Sequence, residues 1–169
     1  MIQDVPSFLS YWRNARGRTM RVLAALEPDD LEWRPVPGAF SFGDLFRHLA
    51  GLERFMYAEN VQHRGSSYPG HGLELASGLE GVRAYLERCH AESLAIFGSL
   101  REDDLLAPCL TPAGAPLAVW KWLRAMVEHE AHHRGQLYLM ASQRGRPVAP
   151  LFGLTEEEVA ARSTRNHPL

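Results

Sequence analysis

The chain has 169 residues, with 18 Lys and Arg against 20 Asp and Glu and a formal net charge of −2 when histidine is counted neutral. That length fits one domain, spanning 1–169, with a single substantial core. The balanced charge leaves no electrostatic footprint for nucleic acid or an acidic membrane surface, so neither is an expected partner.

The start, Met1 to Phe8, holds Asp4 and Pro6 where a secretory leader would hold basic and then apolar residues. No stretch reaches the roughly 18 uninterrupted apolar residues needed to span a bilayer, so the expected location is the cytoplasm. The first predicted helix runs from about Ser7 to Leu26, where Phe8, Trp12, Ala15, Thr19, Val22 and Leu26 recur at three- and four-residue steps. Pro28-Asp29-Asp30 ends it, and Pro35-Val36-Pro37-Gly38 marks a loop. A second helix opens at Ser41, with Asp44 at capping-box spacing, and carries Leu45, His48, Leu52 and Phe55 on one face before fraying near Asn60. Gln62 to Ser77 reads as a long irregular connection.

The third helix is predicted over roughly Leu79 to Leu100, with Leu79, Val82, Leu86, Cys89, Ser93 and Ile96 inward. Arg101 to Pro116 reads as a loop, Pro116 suits the first turn of a fourth helix, and that helix runs to about Gln143, where Gly145 and Pro147 stop it. A short tail helix starts at Thr155, with Glu158 three residues on, and ends before His167-Pro168. No strand pattern competes. The expected fold class is all-α: a four-helix bundle with a short C-terminal helical tail. Cys89 and Cys109 stand far apart in no paired spacing, so they are expected as free thiols and not as a disulfide or a metal site.

The chemistry concentrates in Glu128-His129-Glu130-Ala131-His132-His133-Arg134-Gly135-Gln136. At about 100° per residue, His129 and His133 lie one turn apart on one helix face, with Trp122, Met126, Gln136 and Met140. They are therefore expected to aim into the bundle. Two imidazoles at this spacing converge on one point, and His48, on the apolar face of the second helix, supplies a third. Three imidazoles leave coordination positions open, which favours a reactive ion over a closed structural one. Imidazole suits zinc, nickel, iron and copper, of which zinc or nickel is the expected divalent ion.

His129-Glu130-Ala131-His132-His133 also spells H-E-x-x-H, but no strand region is present to build the metalloprotease scaffold around it. His132 points toward a flank. Asp44, one turn before His48, either orients that ring or simply serves the helix N-terminus, the simpler role. Gln136 either supports the metal site or bonds to backbone. His63 and His71 either overhang the site or are solvated, as loop residues usually are. Glu53 and Glu59 are candidate general bases, with solvation on a helix flank as the plainer reading. Trp120 and Trp122 are expected as core or interface anchors, and Gly135 as a point of close helix packing.

Ser41-Phe42-Gly43-Asp44-Leu45-Phe46-Arg47-His48-Leu49-Ala50, His129-x-x-x-His133-Arg134-Gly135-Gln136 and the preceding Trp33-Arg34-Pro35-Val36-Pro37-Gly38 resemble the DinB/YfiT-like superfamily over roughly Phe8 to Gln143. The resemblance implies a four-helix bundle, often a homodimer, whose divalent metal is held by residues matching His48, His129 and His133. It further implies a metal-dependent enzyme that transfers a low-molecular-weight thiol (bacillithiol, mycothiol or glutathione) to a small electrophilic substrate. A metal-dependent hydrolase and a non-catalytic metal-binding stress or interaction protein are the alternatives.

Overall fold

The computed structural model describes residue 2 and residues 4–163. Helix α1 (Val5–Ala24) begins two residues earlier than the periodicity predicts, because Asp4 caps it by accepting from Ser7 N at 2.7 Å and Pro6 sits in its first turn. A single 3-10 turn, Pro28–Asp30, follows. Helix α2 (Phe42–Leu52) opens on the predicted capping box, with Asp44 N donating to Ser41 Oγ and Ser41 N to Asp44 Oδ2, both at 3.0 Å. It runs on through a π-helical turn, Glu53–Tyr57, into a last turn, α3 (Ala58–Asn60). Helix α4 (Gly78–Gly98) is followed by the short α5 (Glu102–Leu106), and the long α6 (Val119–Gln143) precedes the exposed α7 (Glu156–Ser163). Thr155 caps α7 reciprocally with Glu158, while the predicted stop at His167-Pro168 lies outside the described residues.

Two sequence expectations need correction here. The Arg101–Pro116 segment is not only loop: β1 (Pro108–Leu110) pairs antiparallel with β2 (Pro116–Ala118), Cys109 facing Leu117. Three-residue strands bounded by prolines are too short to show an alternating pattern. Pro116 accordingly lies in β2, and α6 opens three residues later, with Ala118 as its N-cap.

Helix α1 packs on α4 and α6, and α2 packs on the same two, so α1 and α2 face each other diagonally across a four-helix bundle. Two apolar clusters fill it. One gathers Val22, Leu23, Phe42, Phe46, Leu49, Leu86 and Leu137; the other gathers Phe8, Trp12, Tyr57, Phe97, Leu123 and Met126. On every long helix the residues between those clusters are polar and buried or nearly so: Arg16 and Thr19 on α1, Glu53 after α2, His90 and Ser93 on α4, and Glu130 on α6. Arg16 Nη2 donates to Glu53 Oε2 at 2.5 Å, and its Nη1 lies 3.3 Å from Glu130 Oε2. Trp12 Nε1 donates to Glu53 Oε1 at 2.7 Å, His90 Nδ1 stands 2.8 Å from the same oxygen, and Thr19 donates to Glu130 at 2.5 Å. The bundle thus has a charged waist joining all four helices.

The C-terminal end of α6 is tied to the turn after α1 through Asp30, which accepts from Arg144 Nε at 2.7 Å, Arg146 Nε at 2.5 Å and Glu27 N at 2.9 Å. Burial alone would raise its pKa, but the bonds from Arg146, the Glu27 amide and Arg144 outweigh it and bring the carboxyl down to about 2. A depressed carboxylate stabilises the fold fully above about pH 4 and loses that contribution as pH falls toward 2. Asp30→Asn is expected to lower stability by roughly 2–3 kcal/mol at pH 7. Urea titrations should show the gap to wild type closing below pH 3. A gap that stays constant from pH 7 to pH 2 would mean that the ionised carboxylate is not what ties the two segments.

No helix among the described residues is long and apolar enough to cross a membrane. Cys89 and Cys109 are both free and buried.

Candidate metal centre

The seam between α2 and α6, which pack side by side, brings His48, His129 and His133 together, each offering one ring nitrogen within 4.8 Å of the others. Nε2 of His48 and Nε2 of His129 stand 3.2 Å apart. Four ligands arranged tetrahedrally at 2.0–2.1 Å from zinc would place neighbouring nitrogens about 3.3 Å apart, so this spacing matches one edge of a coordination polyhedron. The ring centroids lie 5.1 Å (His48–His129), 4.9 Å (His48–His133) and 4.5 Å (His129–His133) apart.

The other ring nitrogens of His48 and His133 are occupied, which fixes the orientation of those rings. His133 Nδ1 donates to Gln136 Oε1 at 2.7 Å, because an amide oxygen can only accept, and this leaves His133 Nε2 with its lone pair free. His48 Nδ1 stands 2.7 Å from the Tyr68 hydroxyl. Burial pushes that phenol up to about 12, so it stays protonated and neutral. Burial, then the neighbouring His133 and His71, lower His48 to about 4; burial, then His133 and His48, lower His129 to about 3. His133 is lowered as well, burial being the largest cause. At neutral pH all three imidazoles are therefore uncharged, the state in which they can bind a metal. Converging nitrogens, pinned rings and neutral charge all suit a divalent ion.

The histidines do not point into the centre of the bundle as the helical phase predicted. Of the three only His133 is buried; His48 and His129 are partly buried, and Gln136 is exposed. The innermost stripe of α6 is Met126, Glu130, Leu137 and Ala141, with the triad at its edge and open to the surface. Gly135 faces open space and makes no close packing, since the face of α6 that carries it is turned outward.

The sequence profile of the DinB superfamily matches residues 11–137, a stretch that includes all three histidines. The chain belongs to the DinB superfamily. Among relatives of this DinB-superfamily chain, the uncharacterised protein YjoA of Bacillus subtilis strain 168 is 24% identical over 152 residues, 89% of this chain and 94% of that protein. A DinB-like protein from Bacillus cereus ATCC 10987 superposes with a TM-score of 0.75 at 19% identity, covering 89% of this chain and 99% of that one. The four-helix bundle protein TT2238 superposes with a TM-score of 0.63 at 25% identity, covering 80% and 98%. These structures share the fold.

Other candidates in this DinB-superfamily chain resolve individually. Asp44 does not reach His48; its oxygens accept from Ser41 N, Arg34 Nη1 and Arg47 Nη2, so it caps α2 and pairs with arginines. Glu53 and Glu59 are not solvated flank residues. Glu53 lies in the charged waist, and Glu59 is held by Arg54 and Arg64. Glu130, the glutamate of the H-E-x-x-H string, points into the waist and not at the triad. His132 is exposed, 3.2 Å from Gln136 Nε2. Trp122 packs on Tyr57 at 4.6 Å, with Trp120 half-buried near the same cluster. His63 lines a separate cavity with Asn60 and Thr111, but His71 does overhang the triad, its ring 6.2 Å from His48.

Tyr68, Phe40, Arg47 and Gly51 escape the sequence reading. Phe40 stacks on His48 at 5.7 Å and touches His71 edge-on at 4.7 Å. Arg47, fully buried, donates to His71 O at 2.8 Å and Ala76 O at 3.0 Å, which holds the irregular loop over α2. Gly51 makes room for Tyr68: a Cβ there would sit 3.0 Å from the Tyr68 ring. The signal that could have exposed Tyr68 is this glycine, which is costly within a helix unless something packs closely on it. Tyr68→Phe is expected to weaken divalent-ion affinity roughly 10-fold or more, the usual effect of losing the group that orients a ligating histidine. Competition titration against a chelating dye measures this, and unchanged affinity would show that His48 needs no such support.

Proposed function

We propose that the protein is a divalent-metal-dependent enzyme that joins a low-molecular-weight thiol to a small electrophile. The observation that carries this reading is the triad: three neutral imidazoles converge on an accessible seam, and the group includes no fourth His, Cys, Asp or Glu ligand among the described residues. When bound, a divalent ion at such a site supplies Lewis acidity that keeps a thiol in its thiolate form near neutral pH.

The chain's own side chains divide the remaining work. Tyr68 and Gln136 hold the rings of His48 and His133, and Phe40 shields one side of the triad from water. The chain's own thiols do not serve as the nucleophile. Both are buried, Cys109 is raised by burial and Cys89 is pushed up to about 11, so the sulfur comes from a separate molecule. That thiol loses its proton to solvent, its sulfur forms a bond to the electrophilic carbon, and the leaving group departs with the bonding pair. A hydrolytic role would call for a free carboxylate base beside the triad, whereas Glu53, Glu59 and Glu130 are committed to arginines.

The test is a rate measurement on zinc- and nickel-loaded protein with glutathione, bacillithiol and mycothiol against a chromogenic aryl halide. Thiol-dependent turnover that disappears with the metal is expected. No rate above the uncatalysed one for any thiol, with ester hydrolysis in its place, would overturn the transferase reading in favour of the hydrolase.

A further inference from the structure

Beside the triad, where the loop before α2 meets the C-terminal half of α6, lies an alcove of about 240 Å³ lined by Pro35, Phe40, Leu45, Gln136, Leu139 and Met140 among others. We propose that it binds the uncharged, hydrocarbon or aromatic part of the small molecule whose polar head sits at the three histidines. This rests on the reading of His48, His129 and His133 as a metal centre.

Three observations carry it. The first is continuity: the alcove shares two walls with the triad. Phe40 lines the alcove, stacks on His48 at 5.7 Å and lies 6.5 Å from His133, and Gln136 lines the alcove while its Oε1 accepts from His133 Nδ1. The second is chemistry: every residue lining it is apolar or an amide, so an ionic group placed there would meet no counter-charge. The charged residues nearest in sequence already have partners: Arg34 bonds Asp44 and the Ala39 carbonyl at the alcove's edge, Arg47 bonds Asp44, and Arg144 bonds Asp30. The third is size. Whole-ligand pockets occupy roughly 300–1,000 Å³, so this alcove suits one group of a ligand whose remainder lies elsewhere. Leu139, 62% exposed, and Phe40, 37% exposed, are apolar surface that such a group would cover.

The alcove and the triad can be read separately with a homologous series of alkyl hydroxamates, acetyl to hexanoyl, titrated into cobalt-loaded protein. The cobalt absorption bands report the head group, and the dependence on tail length reports the alcove. Affinity should rise roughly threefold to fourfold per added methylene until the alcove fills. A tail ending in a carboxylate should lose that gain. Leu139→Glu, an exposed position where the fold tolerates a charge, should flatten the series while leaving acetohydroxamate affinity unchanged. Equal affinity for every tail length, or a rise that survives Leu139→Glu, would overturn the alcove as a tail site while the metal centre stands. A protein that takes up no cobalt, or whose bands respond to no hydroxamate, would overturn the metal centre and the tail site with it.

Discussion

Replacing His133 by alanine is expected to lower divalent-ion affinity by at least ~100-fold, beyond the roughly 10–100-fold lost when a ligand's outer hydrogen-bond partner is removed. The reason is geometric: the ring supplies one of three converging nitrogens, and its bond to Gln136 already fixes which nitrogen faces the other two. The same loss is expected at His48, on the opposite helix of the seam, and at His129. Because the triad lies at the edge of the core and not at its centre, the metal-free variants should keep their helical content by circular dichroism. A direct readout is thermal: an ion present at 100 times its dissociation constant adds about 2.7 kcal/mol. For a chain of this length that corresponds to about 5–10 °C in Tm. Wild type should show the shift with zinc or nickel, and His133→Ala should show none at the same concentration. A variant that kept both the shift and a stoichiometric ion would mean that the three rings meet for another reason.

The helices and two of the three histidines are legible in the sequence through local rules. His129 and His133 are one turn apart on any α-helix, and the Ser41/Asp44 and Thr155/Glu158 boxes mark helix starts by their spacing alone. His48 is legible as a residue on an apolar face, and the family resemblance ties it to the other two. The features that escape depend on contacts distant in sequence. Tyr68 reaches His48 from an irregular loop that no periodicity describes, and the loop is positioned by Arg47 through backbone carbonyls 24 and 29 residues away. The charged waist escapes for a related reason. Arg16 and Glu130 look like solvated helix positions until their partners, 37 residues away or more, are known. The wheel itself places Glu53: at about 100° per residue it shares its phase with Leu45, Phe46 and Leu49 on the buried face of α2, whereas the stripe of His48, Leu52 and Phe55 runs along the edge of that face. Glu53 falls inward, and Phe55 is only partly buried.

Arg16→Met is expected to destabilise the fold by about 3–5 kcal/mol, the usual effect of removing one partner from a buried charge cluster. Arg16 is the guanidinium that spans the two carboxylates, bonding Glu53 at 2.5 Å and facing Glu130 at 3.3 Å. Burial alone would raise both carboxyls. Arg16, with His90 and Trp12, brings Glu53 below its ordinary range, whereas burial still prevails at Glu130 and holds it above. Without the guanidinium, the carboxylates keep hydroxyl, indole and imidazole hydrogen-bond partners, with Arg134 the remaining cation acting on Glu130, and Tm should fall by about 6–20 °C. Arg16→Lys should recover only part of the loss, because an ammonium cannot address two carboxylates with a planar fork. The triple variant Arg16→Met, Glu53→Gln, Glu130→Gln should recover more of it, since it removes the ions and leaves neutral hydrogen-bonding groups. The consequence reaches the metal. Glu130 adjoins His129 on α6, and Glu53 continues the helix that carries His48, so the waist sets how α2 and α6 stand to each other across the seam. At a temperature where Arg16→Met is still folded, its divalent-ion affinity should fall along with its stability, although no ligand has been touched. A variant that melts within about 2 °C of wild type would show that the four helices are held by the two apolar clusters alone.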